Sequence, residues 1–158
     1  MEQLCSALTN KMLIYNKKIS DKIMQLLLEA DPSKESIENY IDHSIKFVIE
    51  EKNSIIGICA ILIADQCAEI KNISIKKEFQ NQGIGSKLLK DVFDYCHGNK
   101  ILKISVGTGN SSIGQLAFYQ KNGFRITGIS KDYFKKYPSP IFENGIQCLD
   151  LILLNKDI

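Results

Sequence analysis

The segment that decides the fold is Gln80-Asn81-Gln82-Gly83-Ile84-Gly85-Ser86-Lys87-Leu88-Leu89. A polar turn with two glycines leads directly into a stretch whose apolar residues repeat at helical spacing. That spacing predicts an amphipathic helix over Ile84–Cys96, whose first backbone N–H groups have no partner inside the helix. With the positive end of the helix dipole, these amides form a natural phosphate site. Gly83 and Gly85 lack a Cβ, which lets a bulky anion approach the backbone.

Two well-known phosphate motifs do not match this turn. The dinucleotide fingerprint needs a third glycine three residues after Gly85, where Leu88 stands. The triphosphate loop needs Gly-Lys-Ser/Thr at its end, and none is present. A plain turn into a helix, without a ligand, also fits the local pattern. The segment does match the pattern Q/R-x-x-G-x-G/A, with Gln80 in its first position.

The rest of the chain alternates between strand and helix patterns. Before the glycine turn, the periodicity predicts a first strand at Lys11–Tyr15 and two helices, Ile19–Ala30 (capped by Ser20) and Lys34–Ser44. An antiparallel meander of three strands should follow, at Lys46–Glu50, Ile55–Ala64 and Ala68–Ile75. Its turns are expected at Lys52–Asn53 and Asp65–Gln66. After it, the periodicity predicts strand Ile101–Val106, a turn at Gly107–Gly109, helix Ser111–Asn122, strand Phe124–Ile129 and a last strand Gly145–Leu154. This order predicts an α/β fold with a central mixed sheet and helices on both faces.

The strand before the glycine turn changes its alternation. Ala68 and Ile70 share one face, whereas Ile73 and Ile75 fall on the opposite parity. One extra residue near Lys71–Asn72 would place all four side chains on one face, so we expect a β-bulge there. A central strand buried on both faces is the alternative.

A second segment, Asn110 to Phe124, carries the spacing Asn–x6–Ala–x–Tyr–x3–Gly–Phe. Gly123 fits the C-terminal cap of a helix, and a lone tyrosine at helical spacing, such as Tyr119, is typical of a core. Together with the Q/R-x-x-G-x-G/A pattern, however, this spacing closely resembles the signature of the GNAT acetyltransferases. The resemblance covers roughly Ile55–Leu154.

The resemblance implies one N-acetyltransferase domain over residues 1–158, with acetyl-coenzyme A (acetyl-CoA) as cosubstrate. The acetyl group would pass to a primary amine of a small molecule or peptide by direct attack in a ternary complex. The positions implied to contact the cofactor are Ile73, Ser74, Ile75, Gln80, Asn81, Gln82, Gly83, Ile84, Gly85, Ser86, Lys87, Asn110 and Tyr119. Among these, the N–H of Ile73 would polarise the thioester carbonyl, and Tyr119 would protonate the departing thiolate. A non-catalytic GNAT-like sensor that binds acyl-CoA is the alternative.

Glu69 is the candidate general base. An alkylamine with a pKa of about 10.4 is mostly ammonium at pH 7, and its deprotonation costs about 4.6 kcal/mol. Some GNAT enzymes carry a glutamate base on the corresponding strand. A solvated strand carboxylate explains Glu69 equally well, and release of the proton to water would make a base unnecessary.

The family resemblance leaves the acceptor open. It implies that the first helices and the loop Lys131–Pro140 select the acceptor. The aromatic residues of this loop could wall a small-molecule pocket in which Asp132 or Glu143 meets a cation. They could equally pack against a second copy in a homodimer.

Composition excludes several classes of function. The chain has 158 residues, 44% hydrophobic and 24% charged, with a net charge of +2, which gives no reason to expect a nucleic-acid or membrane partner. Its longest apolar run, Ile55–Ala64, is too short to cross a bilayer, and Met1–Asn10 does not resemble a signal peptide, so we expect a cytoplasmic protein. The cysteines form no C-x-x-C pair, so no metal or redox site is expected.

Overall fold

The computed structural model describes residues 10–158. Cys5 and the other residues before Asn10 lie outside the described residues. Within this range the helices are α1 Asp21–Ala30, α2 Lys34–Ile41, α3 Ile84–Gly98 and α4 Ile113–Lys121. The strands are β1 Lys11–Ile14, β2 Ile45–Glu51, β3 Ser54–Ala64, β4 Cys67–Ile75, β5 Lys103–Gly109, β6 Arg125–Ser130, β7 Phe142–Glu143, β8 Ile146–Gln147 and β9 Leu151–Asp157.

The sheet is mixed, as predicted. Its strands pair in the order β1-β2-β3-β4-β5-β9-β6, and β7 pairs with β8 separately. β4 and β5 run parallel, whereas β1 with β2 and β5 with β9 run antiparallel. The described chain separates into two compact units, the first made of residues 10–60 and 72–91 and the second of residues 61–71 and 92–158.

The first unit contains β1, β2, α1 and α2. Both helices begin at a serine cap: the Ser20 hydroxyl accepts the N–H of Ile23 at 3.4 Å, and the Ser33 hydroxyl accepts the N–H of Ser36 at 3.1 Å. The turn between β2 and β3 has Lys52 and Asn53 at φ 48° and 60°, as suits the predicted tight hairpin. Side chains from both helices and β2 are buried, among them Leu27, Ile37, Phe47 and Ile49.

The second unit is built around β5. Its residues 103–106 pair in parallel with Cys67–Ile70 of β4, and the whole of β5 pairs antiparallel with β9. β6 lies on the other side of β9, with a register shift between Ile126 and Gly128. Buried side chains of this unit include Ile104, Val106, Tyr119, Phe124 and Leu154.

The prediction of a turn at Gly107–Gly109 was wrong, because these residues extend β5. Gly107 pairs with Leu153 and Gly109 with Leu151. The glycines leave room for neighbouring side chains: a Cβ at Gly109 would lie 2.5 Å from the sulfur of Cys148, and one at Gly107 would lie 2.8 Å from the side chain of Leu151, so a larger residue would require these side chains to shift. Two glycines at this spacing therefore report close packing within a strand, not a loop.

The predicted last strand, Gly145–Leu154, was also placed wrongly. The structure has the short hairpin of β7 and β8, an irregular segment at residues 148–150, and then β9 from Leu151 to Asp157. The irregular segment leaves the sheet ladder because the side-chain oxygen of Asn110 accepts the N–H groups of Leu149 and Asp150. Asn110 is distant in sequence, so periodicity alone could not reveal this bond.

Burial along β4 alternates only in its first half. Ala68 and Ile70 are buried on either side of the exposed Glu69, but Asn72, Ile73 and Ser74 are buried in succession. The parallel pairing with β5 also extends only as far as Ile70. Successive burial matches the alternative of a strand covered on both faces, and the bulge near Lys71–Asn72 stays a prediction.

No helix within residues 10–158 combines the length and the apolar character needed to cross a membrane.

Candidate active site

The glycine turn is held in place by one apolar cluster of the first unit. Ile84, the first residue of α3, packs with Ile49 and Ile56, and Ile75 and Phe79 pack against the same cluster. These residues lie on both sides of the turn in sequence. The turn is therefore fixed at both of its ends, and its backbone is presented on a rigid base.

The backbone of the turn has the geometry expected of an anion site. Asn81 and Gly83 have φ values of 59° and 77°, and nothing lies within 4 Å of the position that a Cβ of Gly83 would occupy. The N–H of Lys87 donates to the carbonyl of Gly83 at 3.0 Å. The amides of residues 84 and 85 belong to the first turn of α3, where N–H groups have no acceptor within the helix. These amides and the positive helix end favour a phosphate oxygen.

Polar side chains of the turn bind the protein's own backbone. The Gln80 amide donates to the carbonyl of Ile75 at 2.9 Å, and the Gln82 amide donates to that of Glu78 at 3.1 Å. The Lys87 ammonium donates to the carbonyl of Asn10 at 2.9 Å. In this structure the two glutamine side chains thus brace the turn, and Lys87 joins α3 to the residue before β1, roles that the motif alone did not indicate.

The charge around the turn suits an anion. Lys77 and Lys87 are exposed, and Lys76 donates to the hydroxyl of Ser54 at 3.3 Å. Glu78 is an acidic neighbour in the same stretch. The excess of lysine over acid favours a diphosphate through long-range attraction that salt will weaken.

In the second unit, Tyr119 lies in α4 and is 4% exposed. Its ring packs against Phe118 at a centroid distance of 5.3 Å and against Phe124 edge-on at 5.5 Å. Phe124 also contacts Phe93 of α3 at 5.9 Å. This aromatic cluster fixes the orientation of the ring and thereby the position of its hydroxyl.

Asn110 is engaged on both ends of its side-chain amide. Its oxygen accepts the N–H groups of Leu149 and Asp150 at 2.8 and 3.0 Å, and its nitrogen donates to the carbonyl of Gln147 at 3.1 Å. The family resemblance implied a contact between Asn110 and the cofactor. The structure gives Asn110 a supporting role at the segment between β8 and β9, which the sequence motif did not suggest.

Glu69 is on the exposed side of β4, where its carboxylate forms an ion pair with Lys71 at 3.0 Å. The Glu69 side chain is 50% exposed. Its backbone is held by the parallel pairing with Ser105. The carboxylate is therefore accessible, but in this structure it has a cationic partner.

Both carboxylates proposed to meet an acceptor cation are occupied within the second unit. Glu143 accepts hydrogen bonds from the hydroxyls of Ser111 and Ser112, at 3.3 and 2.5 Å. Asp132 pairs with Lys135 at 3.0 Å. The two serines precede α4, so the Glu143 carboxylate also lies at the positive end of that helix, which stabilises it.

The aromatic residues before β7 form a cluster of their own. Tyr133 and Phe134 pack edge-on at 5.1 Å, and Phe134 stacks on Tyr137 at 5.6 Å. The Lys136 ammonium lies 3.8 Å from the ring centre of Tyr133. The cluster thus makes a cation–π contact with a lysine of the same chain.

The predicted site residues fall into two groups. Those from Ile73 to Lys87 belong to the first unit, where the Gln80–Ile75 bond and the shared apolar cluster bring the end of β4 and the glycine turn together. Glu69, Asn110 and Tyr119 belong to the second unit.

No group of three or more histidine, cysteine, aspartate or glutamate side chains within residues 10–158 is placed to hold a metal ion. Cys59, Cys96 and Cys148 are buried, whereas Cys67 is exposed. Burial raises the pKa of the Cys96 thiol to about 11. Its thiolate form is therefore disfavoured at neutral pH.

Comparison with known proteins identifies the family of this chain. The family sequence model of the acetyltransferase (GNAT) domain matches residues 42–126 of this chain. YvbK of Bacillus subtilis, an uncharacterized N-acetyltransferase, is 38% identical over 144 residues, which are 90% of this chain and 93% of the relative.

Two solved structures are similar over nearly the whole chain. An IAA acetyltransferase from Bacillus cereus is 40% identical, with a TM-score of 0.88 and coverage of 95% of this chain and 100% of the other. A GNAT family acetyltransferase from Elizabethkingia anophelis, with acetyl-CoA bound, is 45% identical, with a TM-score of 0.88 and coverage of 94% and 98%. The domain match and the similarity to these relatives over nearly the whole chain show that it belongs to the GNAT acetyltransferase family.

Proposed function

We propose that this acetyltransferase binds acetyl-CoA and transfers its acetyl group to a primary amine of a small molecule or peptide in the cytoplasm. The observation that carries the proposal is the turn before α3. Gly83 is left-handed with open space beside it, and the amides of residues 84 and 85 lie in the first turn of α3. A diphosphate fits such a turn because it supplies oxygens to several amides at once. The acetyl-CoA bound to the Elizabethkingia relative supports the same ligand.

The transfer proceeds by direct attack in a ternary complex. The amine nitrogen attacks the thioester carbon, the carbon–sulfur bond then breaks, and the thiolate takes up a proton. The N–H of Ile73 donates to the carbonyl oxygen as it becomes negative, a contribution of about 3 kcal/mol for a well-placed donor. Tyr119 supplies the proton, since a phenol with a pKa of about 10 can protonate a thiolate without a large penalty.

The acceptor amine also loses a proton. Glu69 takes it, directly or through a water molecule, once its carboxylate is released from the ion pair with Lys71. An exposed ion pair of this kind is worth only about 0–1 kcal/mol, so its opening costs little. A Glu69→Gln variant whose pH–rate profile matches that of the wild type would instead assign the proton to water.

Two measurements test the proposal. Calorimetric titration with acetyl-CoA, ATP and NADH should show binding of acetyl-CoA alone. A thiol-release screen with polyamines, aminoglycosides, amino acids, ribosomal peptide N-termini and lysine peptides should then identify the acceptor class. Preferential binding of ATP or NADH contradicts the proposal. Acetyl-CoA binding without thiol release across the panel assigns the chain to the acyl-CoA sensors instead.

A further inference from the structure

Asn72 is a buried polar residue of β4 that joins three elements of the first unit. It is 4% exposed. Its side-chain nitrogen donates to the carbonyl of Leu27 at 3.0 Å and to the hydroxyl of Tyr40 at 3.1 Å. Leu27 lies in the second half of α1, and Tyr40 lies in the last turn of α2. One side chain thus ties both helices to β4.

The other end of the same amide has no partner. The side-chain oxygen of Asn72 is buried and accepts no hydrogen bond. A buried acceptor without a donor is unfavourable, and such groups call for an explanation. The carbonyl of Leu27 also accepts the N–H of Asp31 at 3.1 Å, so it would keep a donor if Asn72 were replaced. A leucine of similar size would remove the unpaired oxygen, although it would also lose both hydrogen bonds of the Asn72 nitrogen. The unpaired oxygen is thus a cost that comes with the asparagine and calls for a reason at this position.

The position of Asn72 suggests what it does. It directly precedes Ile73, whose N–H we assign to the thioester carbonyl. The parallel pairing of β4 with β5 ends at Ile70, two residues earlier. The Asn72 side chain therefore adds an anchor to helices α1 and α2 where that pairing has ended.

We propose that Asn72 is a positioning residue for acetyl transfer, which fixes the backbone so that the Ile73 N–H points at the thioester oxygen. This inference rests on the proposed function. Asn72 itself does not touch the acetyl group in this scheme, and its effect on the reaction passes through Ile73. Residues that trade stability for orientation in this way are expected near reacting groups.

The experiment uses acetyl-CoA labelled with ¹³C at the carbonyl, so it needs no knowledge of the acceptor. The ¹³C resonance of the bound thioester reports how strongly a donor polarises the carbonyl. In Asn72→Leu we expect at least half of the shift between free and bound resonance to disappear, with the dissociation constant changed less than threefold and a cooperative thermal unfolding transition that shows the variant is folded. Tyr40→Phe, which removes one partner of Asn72, should lose a smaller part of the shift.

Ser44→Ala is the matched control. The Ser44 hydroxyl donates to the carbonyl of Tyr40 at 2.7 Å and makes no bond to Asn72. It should lower stability but leave the carbonyl resonance unchanged. If Asn72→Leu keeps the wild-type resonance, or if Ser44→Ala moves it equally, the positioning role is overturned while the proposed function stands. If the wild type does not bind acetyl-CoA, the proposed function fails and this inference with it.

Discussion

The side-chain nitrogen of Gln80 donates a hydrogen bond of 2.9 Å to the backbone carbonyl of Ile75, the last residue of β4. This bond links the end of β4 directly to the start of the glycine turn. It fixes the position of the turn relative to the strand that carries Ile73. Gln80, the first residue of the motif, thus shapes the turn through its side chain, although its own amide is not one of those proposed to bind the phosphate.

Replacement of Gln80 should therefore weaken the binding of acetyl-CoA through the shape of the turn. We expect Gln80→Leu to raise the dissociation constant about 5- to 30-fold, since loss of one hydrogen bond is worth about 1–2 kcal/mol. Gln80→Arg keeps a donor and should stay within about threefold of the wild type. Isothermal titration calorimetry measures both. Equal affinity of the leucine variant and the wild type would show that the bond has no part in binding.

Gly83→Ala should lower both stability and affinity. An alanine at φ 77° is strained by about 1–2 kcal/mol, although no neighbour obstructs its Cβ. We expect a melting temperature lower by about 2–6 °C and weaker acetyl-CoA binding.

Gly98→Ala is the matched control at the other end of α3. No neighbour lies within 4 Å of its added Cβ. Because alanine is favoured over glycine in helices by about 0.5–1 kcal/mol, this variant should be slightly more stable and bind as the wild type does. If Gly83→Ala melts at the wild-type temperature and binds acetyl-CoA with wild-type affinity, the turn does not require glycine at this left-handed position.

Tyr119→Phe should lower kcat and leave the affinity for acetyl-CoA nearly unchanged. The phenyl ring keeps the packing against Phe118 and Phe124, whereas the proton donor is lost. A positioned general acid contributes about 10²–10⁴-fold, so we expect a loss within that range in steady-state thiol release. A wild-type kcat in this variant rules out the acid role.

Asn110→Ala should loosen the segment between β8 and β9. It leaves the N–H groups of Leu149 and Asp150 without their acceptor, at a cost of about 1–3 kcal/mol for each group that stays buried. Hydrogen–deuterium exchange should become faster at residues 146–151 before any change appears in β1 or β2. Asn110→Asp, which keeps the accepting oxygen, should protect the segment better than the alanine variant. If exchange at residues 146–151 is unchanged in Asn110→Ala, Asn110 does not support this segment.

Cys96 should resist alkylation while Cys67 reacts. Because burial raises the pKa of Cys96 to about 11 from an ordinary 9.0, the folded protein holds the thiol proton more tightly than the unfolded chain. Its contribution to stability is therefore complete below pH 9 and is lost as the pH rises toward 11. Iodoacetamide at pH 8, followed by peptide mass spectrometry, should modify the exposed Cys67 far faster. Rapid modification of Cys96 in the folded protein would contradict its burial.

Local patterns predicted most of the elements, because each depends on residues close together in sequence. The helical spacing after Gly83 predicted α3, and Ser20 was recognised as the cap of α1, which its bond to Ile23 confirms. The polar pair Lys52–Asn53 predicted the turn between β2 and β3, where the structure places both residues at positive φ. The glycine turn and the spacing from Asn110 to Phe124 led to the correct family.

The errors lie where distant residues decide the backbone. Gly107 and Gly109 were predicted to form a turn, but the side chains of Cys148 and Leu151 pack closely against β5 and would have to shift to admit a Cβ at either position. The last strand was placed too early because the amide of Asn110 draws residues 149 and 150 out of the ladder. No periodicity within the strand itself could report either contact.

By itself, the sequence determined the mixed α/β class, the glycine turn at the start of α3 and the acetyltransferase family. These depend on backbone propensities and short-range spacing, which any fold of the chain must satisfy. Only the tertiary structure decided the partners of three polar side chains. Gln80 donates to the carbonyl of Ile75, and Asn110 supports the segment before β9. Asn72 is buried between α1, α2 and β4 with an unpaired oxygen. Polar side chains can bind many partners, and which partner lies within 3 Å is settled only when packing brings distant elements together.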